Sequence, residues 1–179
     1  MNSLGIPRTK PPKVRSFMTT SLFPMKFENA YRAEDSSNEE LSPPSGLCFS
    51  HDGNLLLSDD FNHRVQIYDS QFNLLNSFGS KGKEPGQFQY PKGIAVDPEG
   101  NIYVADSWNH RVQKFDAKGT SLLTFGTCGD GKGELNEPYD IMVEPSGNLI
   151  VVERYNHRIQ FFDPQGLSLG WLGDRGTVL

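Results

Sequence analysis

The sequence predicts an all-β chain of three repeated units, each folding into its own four-stranded sheet. Three observations carry this. Asn62-His63-Arg64, Asn109-His110-Arg111 and Asn156-His157-Arg158 recur at a spacing of 47 residues, twice over. Their surroundings keep the same register: Pro44, Pro91 and Pro138 align, as do Gly79, Gly126 and Gly173, and Gly53, Gly100 and Gly147 are each followed by Asn. Residues 55–57 and 149–152 are continuous apolar runs, not alternations, so their sheets are expected to be covered on both faces. Small sheets stacked between copies of themselves are the blades of a β-propeller, whose radial repetition also protects sheet edges.

The middle copy justifies the strands one by one. Residues 93–97 make the first, and Pro98-Glu99-Gly100 turns the chain, with Pro pre-setting φ and Gly accepting the left-handed position. Residues 101–106 make the second strand. The loop Ser107-Trp108-Asn109-His110 leads to a third strand at 111–116, and a turn at Gly119 leads to a fourth at 121–125. Blades are therefore expected at 44–79, 91–126 and 138–173, with the start of a further linker up to residue 179.

The 26-residue stretch from Pro91 to Asp116, centred on Asn101-Ile-Tyr-Val-Ala-Asp106 and Trp108-Asn-His-Arg111, resembles the NHL repeat, and the resemblance covers about residues 44–173. It implies four-stranded blades and a propeller that is usually six-bladed. It also implies a binding role. Members include the C-terminal modules of tripartite-motif ubiquitin ligases, which recruit a protein or, in some cases, single-stranded RNA. Others are bacterial sensors, and a few relatives are enzymes, among them a zinc-dependent lyase. The fold does not choose among these.

Charge and composition narrow the classes. Residues 1–27 carry Arg8, Lys10, Lys13, Arg15 and Lys26 and no acid; the remainder holds 12 Lys and Arg against 22 Asp and Glu, an excess of 10 negative charges. That argues against a surface coated in nucleic acid. Residues 1–27 read as a disordered basic tail, with an organelle-targeting segment as the alternative that Pro7, Pro11 and Pro12 oppose. Residues 28–43 read as an outer-strand remnant and linker, since residues 25–31 fall level with the outer strand at 72–78. Only Cys48 and Cys128 occur, at non-equivalent positions, so no disulfide framework, a reducing compartment and a cytoplasmic location are expected. No apolar run is long enough to cross a bilayer.

The triplets invite a metal or catalytic reading, but their histidines sit at the same place in separate blades. A zinc ion needs three or four ligands converging on one point. The expectation is therefore no metal, no cofactor and no enzymatic activity. A structural role suits them instead. Each preceding strand ends in an acid, and Asp59 with Arg64, Asp106 with Arg111 and Glu153 with Arg158 are placed to pair across the loop base. Asn62, Asn109 and Asn156 suit a left-handed turn position, with His63, His110 and His157 beside them.

Partner-binding candidates follow from what this role leaves over. Phe61, Trp108 and Tyr155 precede the three Asn residues. They either line one face as anchors for a partner or pack under the next linker. The Gly-rich linkers at 79–88 and 126–135 look anchored at Phe88 and Leu135, as does the chain at Leu41; Lys81, Lys83, Lys92 and Arg154 could give their face a positive patch. Two readings stand: a protein-binding module of the ligase-related kind that the resemblance implies, and a single-stranded RNA binder stacking bases on the aromatics. Three blades leave apolar flanks, with Ile150, Val152, Phe161 and Trp171 expected on the last. Either the chain is a piece of a longer propeller, favoured by the incomplete final linker, or two copies join head to tail.

Overall fold

The computed structural model describes residues 41–173; the basic tail, the outer-strand remnant at 25–31 and the start of the final linker lie outside them. Twelve strands form three separate antiparallel sheets, each in the order in which its strands occur in the chain. Blade 1 comprises β1 (Pro44–Phe49), β2 (Leu55–Asp59), β3 (Arg64–Tyr68) and β4 (Leu74–Phe78). Blade 2 comprises β5 (Pro91–Val96), β6 (Ile102–Asp106), β7 (Arg111–Phe115) and β8 (Ser121–Phe125). Blade 3 comprises β9 (Pro138–Val143), β10 (Leu149–Glu153), β11 (Arg158–Phe162) and β12 (Ser168–Leu172). The architecture is all-β, a partial propeller of three open blades.

Burial explains why the apolar runs do not alternate. In blade 2, every residue of β6 is buried, because blades lie against both faces. In β2 and β10 burial alternates more, because only one face meets a described neighbour. Two cores result, one per joint. Leu56, Val65 and Ile67 meet Ile94, Ile102, Val104 and Phe115 between blades 1 and 2. Tyr103, Ala105 and Val112 meet Ile141, Leu149, Val151 and Phe162 between blades 2 and 3. We call the face each blade turns to its successor trailing, and the other leading.

Glycine matters most where a turn crosses a joint. Gly119 sits at φ +86, and a Cβ there would lie 2.5 Å from the Phe78 ring of the preceding blade; Gly166 meets Phe125 in the same way. Phe72 holds the equivalent place in blade 1, also at positive φ.

The sequence expectations need correction at three places. The left-handed residue in each triplet is the histidine (His63, His110 and His157 at φ 55, 54 and 53), not the asparagine. Leu41 is exposed, unlike Phe88 and Leu135, because no preceding blade lies against it among the described residues. Trp171 is not on the trailing flank with Ile150, Val152 and Phe161. It pairs opposite Gln160, on the other face, and Arg158 lies over its ring at 5.0 Å.

Candidate functional site

Each blade's second and third strands are joined at one end by the triplet loop, and the interblade linker crosses the same end. In blades 1 and 2 the loop is a single 3-10 turn, Asp60–Asn62 and Ser107–Asn109. A buried acid at its base organises everything around it. Asp106 accepts from the Arg111 Nε at 2.7 Å, Asn109 at 2.9 Å, Gln113 at 3.0 Å and the Gln89 backbone N–H at 2.7 Å. Burial pushes the Asp106 carboxyl up from its ordinary value, opposed by these donors. Glu153 holds Arg158 at 2.6 Å, Asn156 and Gln160 in the same pattern, and Asp59 holds Arg64 at 2.8 Å and Asn62. The guanidinium of Arg111 also donates to the carbonyls of Lys83, Glu84 and Gln87, and that of Arg158 to Asp130, Gly131 and Glu134. Arg111 and Arg158 thus tie their loops to the linker that precedes their own blade.

Gln66, Gln113 and Gln160 are fully buried residues that the sequence analysis does not single out, and Gln113 and Gln160 are members of this network. The signal was present: each follows its Arg by two residues, at the 47-residue spacing. Gln113 bridges Asp106 to the linker, donating to the Gln87 carbonyl and accepting the Gly86 N–H.

The histidines join blade to blade. The Nδ1 of His63 accepts the Tyr90 backbone N–H at 3.1 Å, and that of His110 accepts the Glu137 N–H at 3.2 Å. Only an unprotonated Nδ1 can accept. Burial and then the Lys81 charge hold the His63 imidazole below its ordinary 6.5, against a smaller pull from Asp60 and Asp106. In the window between the folded value and 6.5 the unfolded chain binds the proton that the folded one refuses. The contribution of His63 to stability is therefore full above pH 6.5 and falls as pH drops through the window. Replacing His63 with Asn, which tolerates a left-handed backbone, should flatten the acid-side fall of the thermal midpoint. An unchanged pH slope would show that another group sets it.

The aromatics are partly open. Phe61, Trp108 and Tyr155 are 57, 55 and 42% exposed. Tyr90, which the sequence reading did not single out, lies between two of them, 5.5 Å from the Phe61 ring and 4.4 Å from Trp108. Its place in the repeat is taken by Glu137 in the next blade, so no recurring signal marked it. Tyr155 instead lies beneath Arg154, 5.2 Å away, and Arg154 reaches Glu137 at 3.8 Å.

The four cations differ in placement. Lys81 and Lys83 are exposed on the first linker, and Arg154 is exposed near Glu137. Lys92 is engaged: it pairs with the buried Asp60 and Ser45 and lies 5.8 Å from the Tyr139 ring centre. The acids are also unevenly spread. Asp52, Asp69, Glu99, Asp116, Glu144 and Asp163 lie in turns at the opposite end of the blades, where Asp69, Asp116 and Asp163 cap backbone N–H groups. The overall negative charge therefore does not describe the loop end, where Lys81, Lys83, Lys132 and Arg154 accompany Glu84, Asp130, Glu137 and Asp140.

Among the described residues no three of His, Cys, Asp and Glu gather as a metal site. Both cysteines are free, and burial pushes the Cys48 thiol up to about 12. No helix of the described residues is long and apolar enough to cross a membrane.

Comparison with known proteins places this geometry. No curated protein matches the chain. Among solved structures, hydrazine synthase from Kuenenia stuttgartiensis superposes with a TM-score of 0.60 at 19% identity, over 82% of this chain and 41% of that one. A catalytically inactive virginiamycin B lyase from Staphylococcus aureus, solved with quinupristin, gives 0.62 at 16%, over 80% and 45%. A gluconolactonase from Xanthomonas campestris gives 0.61 at 19%, over 80% and 51%. The chain thus spans about half the length of these proteins or less, and at such identities the likeness is one of fold. It nevertheless overturns the expectation that the chain has no enzymatic activity. That expectation rested on the equivalent placing of the histidines, whereas this kind of propeller carries a lyase and a gluconolactonase in other chains. Equivalent triplets say nothing of what non-equivalent residues do. The NHL repeat family model matches residues 88–115, from the linker anchor through β7. The NHL repeat is thus shown in the middle blade, and the same acid–Arg pair holds the triplet loop in the blades on either side.

Proposed function

We propose that the chain binds a protein partner across the loop end of its blades, with Phe61, Trp108 and Tyr155 as anchors and Tyr90 joining the first two into one aromatic surface. The observation that carries this is the partial exposure of large rings at the same loop position in all three blades. Large aromatics at the centre of an interface supply most of its binding energy, and here each follows a buried acid that clamps its loop. A surface held rigid before binding loses little entropy on docking. Exposed Lys81, Lys83 and Arg154 would form a polar rim. The substrate-recruiting role of the tripartite-motif ligases that the blades resemble fits this use.

A second reading, single-stranded RNA stacked on the same rings, is favoured by one observation: the exposed cations Lys81, Lys83, Lys132 and Arg154 stand at the loop end, beside the rings. Stacking is worth about 1–3 kcal/mol per base.

The test uses peptides selected from a displayed library on the wild-type chain, alongside oligouridine. Replacing Phe61, Trp108 and Tyr155 together with Ala should weaken peptide binding by roughly tenfold or more and leave the thermal midpoint nearly unchanged. Peptide affinity that survives the triple replacement removes the protein reading. Salt-sensitive oligouridine binding lost in the variant, with no peptide selected, replaces it with the RNA reading.

A further inference from the structure

We infer that the joint between blades 1 and 2 takes up a small ligand, an aromatic ring carrying a protonated amine, at the turn end of the blades, opposite the triplet loops. The site is a cavity of about 180 Å³ that these two blades build between them. Leu56 and Ile67 of blade 1 and Ile102 of blade 2 give it a buried apolar floor. Asp52 and Glu99 stand on the two turns that rim it. A dry cavity of roughly 150 Å³ lined by aliphatic side chains takes up benzene. This one therefore has room for a single ring and a short chain.

The ligand class follows from the next joint, which fills the equivalent space with its own side chains. The repeat carries Leu56 to Tyr103, Ile67 to Lys114 and Ser50 to Asp97. Leu56 pairs with Ile67 across β2 and β3, as Tyr103 pairs with Lys114 across β6 and β7, so each pair stands at the same place on its sheet. Between blades 2 and 3 the Tyr103 ring is fully buried. The Lys114 Nζ lies 5.0 Å from the centre of that ring and 3.5 Å from the Asp97 carboxylate. A ring with an ammonium beside it, next to an acid, is thus what this kind of joint accommodates. Blade 1 supplies neither group, and its two aliphatic side chains leave the space open. The turn is more open as well. A Cβ on Gly100 would meet nothing within 4 Å, whereas on the equivalent Gly147 it would lie 3.5 Å from Pro164, whose place in blade 2 is taken by Ala117.

Charge selects the amine. Asp52 and Glu99 are exposed, and neither makes an ion pair among the described residues. His51, on the same rim, carries at most one positive charge, so the mouth stays negative. The ring gains by leaving water for the aliphatic floor, and the ammonium remains at the mouth beside the two carboxylates. The site lies at the other end of the blades from Phe61, Trp108 and Tyr155 and is separate from the partner surface.

Phenethylamine is the probe. Titrated into the whole chain and followed by methyl NMR, it should give saturable shifts at Leu56, Ile67 and Ile102. Half-saturation is expected at about millimolar concentration, as suits so small a ligand. Phenethyl alcohol, uncharged and of nearly the same shape, should bind roughly fivefold more weakly. Asp52→Asn with Glu99→Gln should cost the amine a similar factor and leave the alcohol unchanged. Leu56→Tyr with Ile67→Lys, which gives blade 1 the pair that blade 2 has, should abolish binding of both. Circular dichroism checks that this variant folds, and the two surface replacements decide the matter if it does not. Shifts that never saturate with the amine overturn the proposal. So does equal binding of amine and alcohol, amine binding indifferent to the loss of both carboxylates, or binding that survives in the folded, filled variant.

Discussion

Asp106→Ala is expected to destabilise the chain by about 3–5 kcal/mol, the cost of removing one partner from a buried ion pair. The reason is what remains. Arg111 stays buried with its charge opposed only by the carbonyls of Lys83, Glu84 and Gln87, and Asn109, Gln113 and the Gln89 N–H lose an acceptor. Blade 2 also stands in both joints, so loosening it weakens its two neighbours, as nearest-neighbour coupling in repeat proteins requires. The thermal midpoint should fall by roughly 10 °C. Asp106→Asn keeps the shape and one acceptor oxygen and should lose distinctly less. In a double-mutant cycle with Arg111→Ala the combined loss should be smaller than the sum of the single losses. A strictly additive pair, or an alanine variant within about 1 kcal/mol of the parent, would show that the acid does not organise the loop.

Phe88→Ala is expected to cost a similar amount, about 3–5 kcal/mol. Phe88 is fully buried, with ring centres of Phe115 and Phe78 at 5.4 and 6.4 Å, so three rings from blade 1, the linker and blade 2 fill one joint. It also anchors the linker, donating its N–H to the Ser80 carbonyl at 2.8 Å and accepting the Gly82 N–H at 3.1 Å. Losing the ring therefore opens a cavity and frees the carbonyls that hold Arg111. Leu135→Ala at the other joint, where one aliphatic side chain takes the place of the ring, should cost less. Hydrogen exchange at the Gly82 and Phe88 amides, against Gly129 and Leu135, reads the two linkers separately. Equal protection in Phe88→Ala and the parent would show that the linker is held by its backbone alone.

Where a side chain does the same job in every blade, the sequence announced it. The triplets, the Gly and Pro turns and the strand-ending acids recur because each blade solves the same local problem: a tight loop over a buried carboxylate. Gln66, Gln113 and Gln160 recur as plainly, but a glutamine in a strand reads as a solvent-facing residue until the linker carbonyls are seen folded over Gln113 and Gln160. The histidines were visible and misassigned. The histidine, not the asparagine, closes the loop turn in the left-handed conformation, in all three blades, and the further reach of His63 and His110 to a residue 27 positions later is a contact that no local preference encodes.

What the sequence by itself determined is the blade: four short strands, their turns and the acid–Arg base of each loop. These depend on neighbours within one repeat, and the repeat writes them three times. What only the tertiary structure decided lies where repeats meet and differ. Tyr90 joins Phe61 to Trp108, Lys92 pairs with Asp60, Glu137 meets Arg154, and Phe72 and Asp140 stand where the internal joints need glycine. Each of these is a contact between residues from different blades, or a departure from the repeat. Periodicity shows what every blade shares, whereas a contact across a joint depends on how closely two sheets approach, and packing sets that distance.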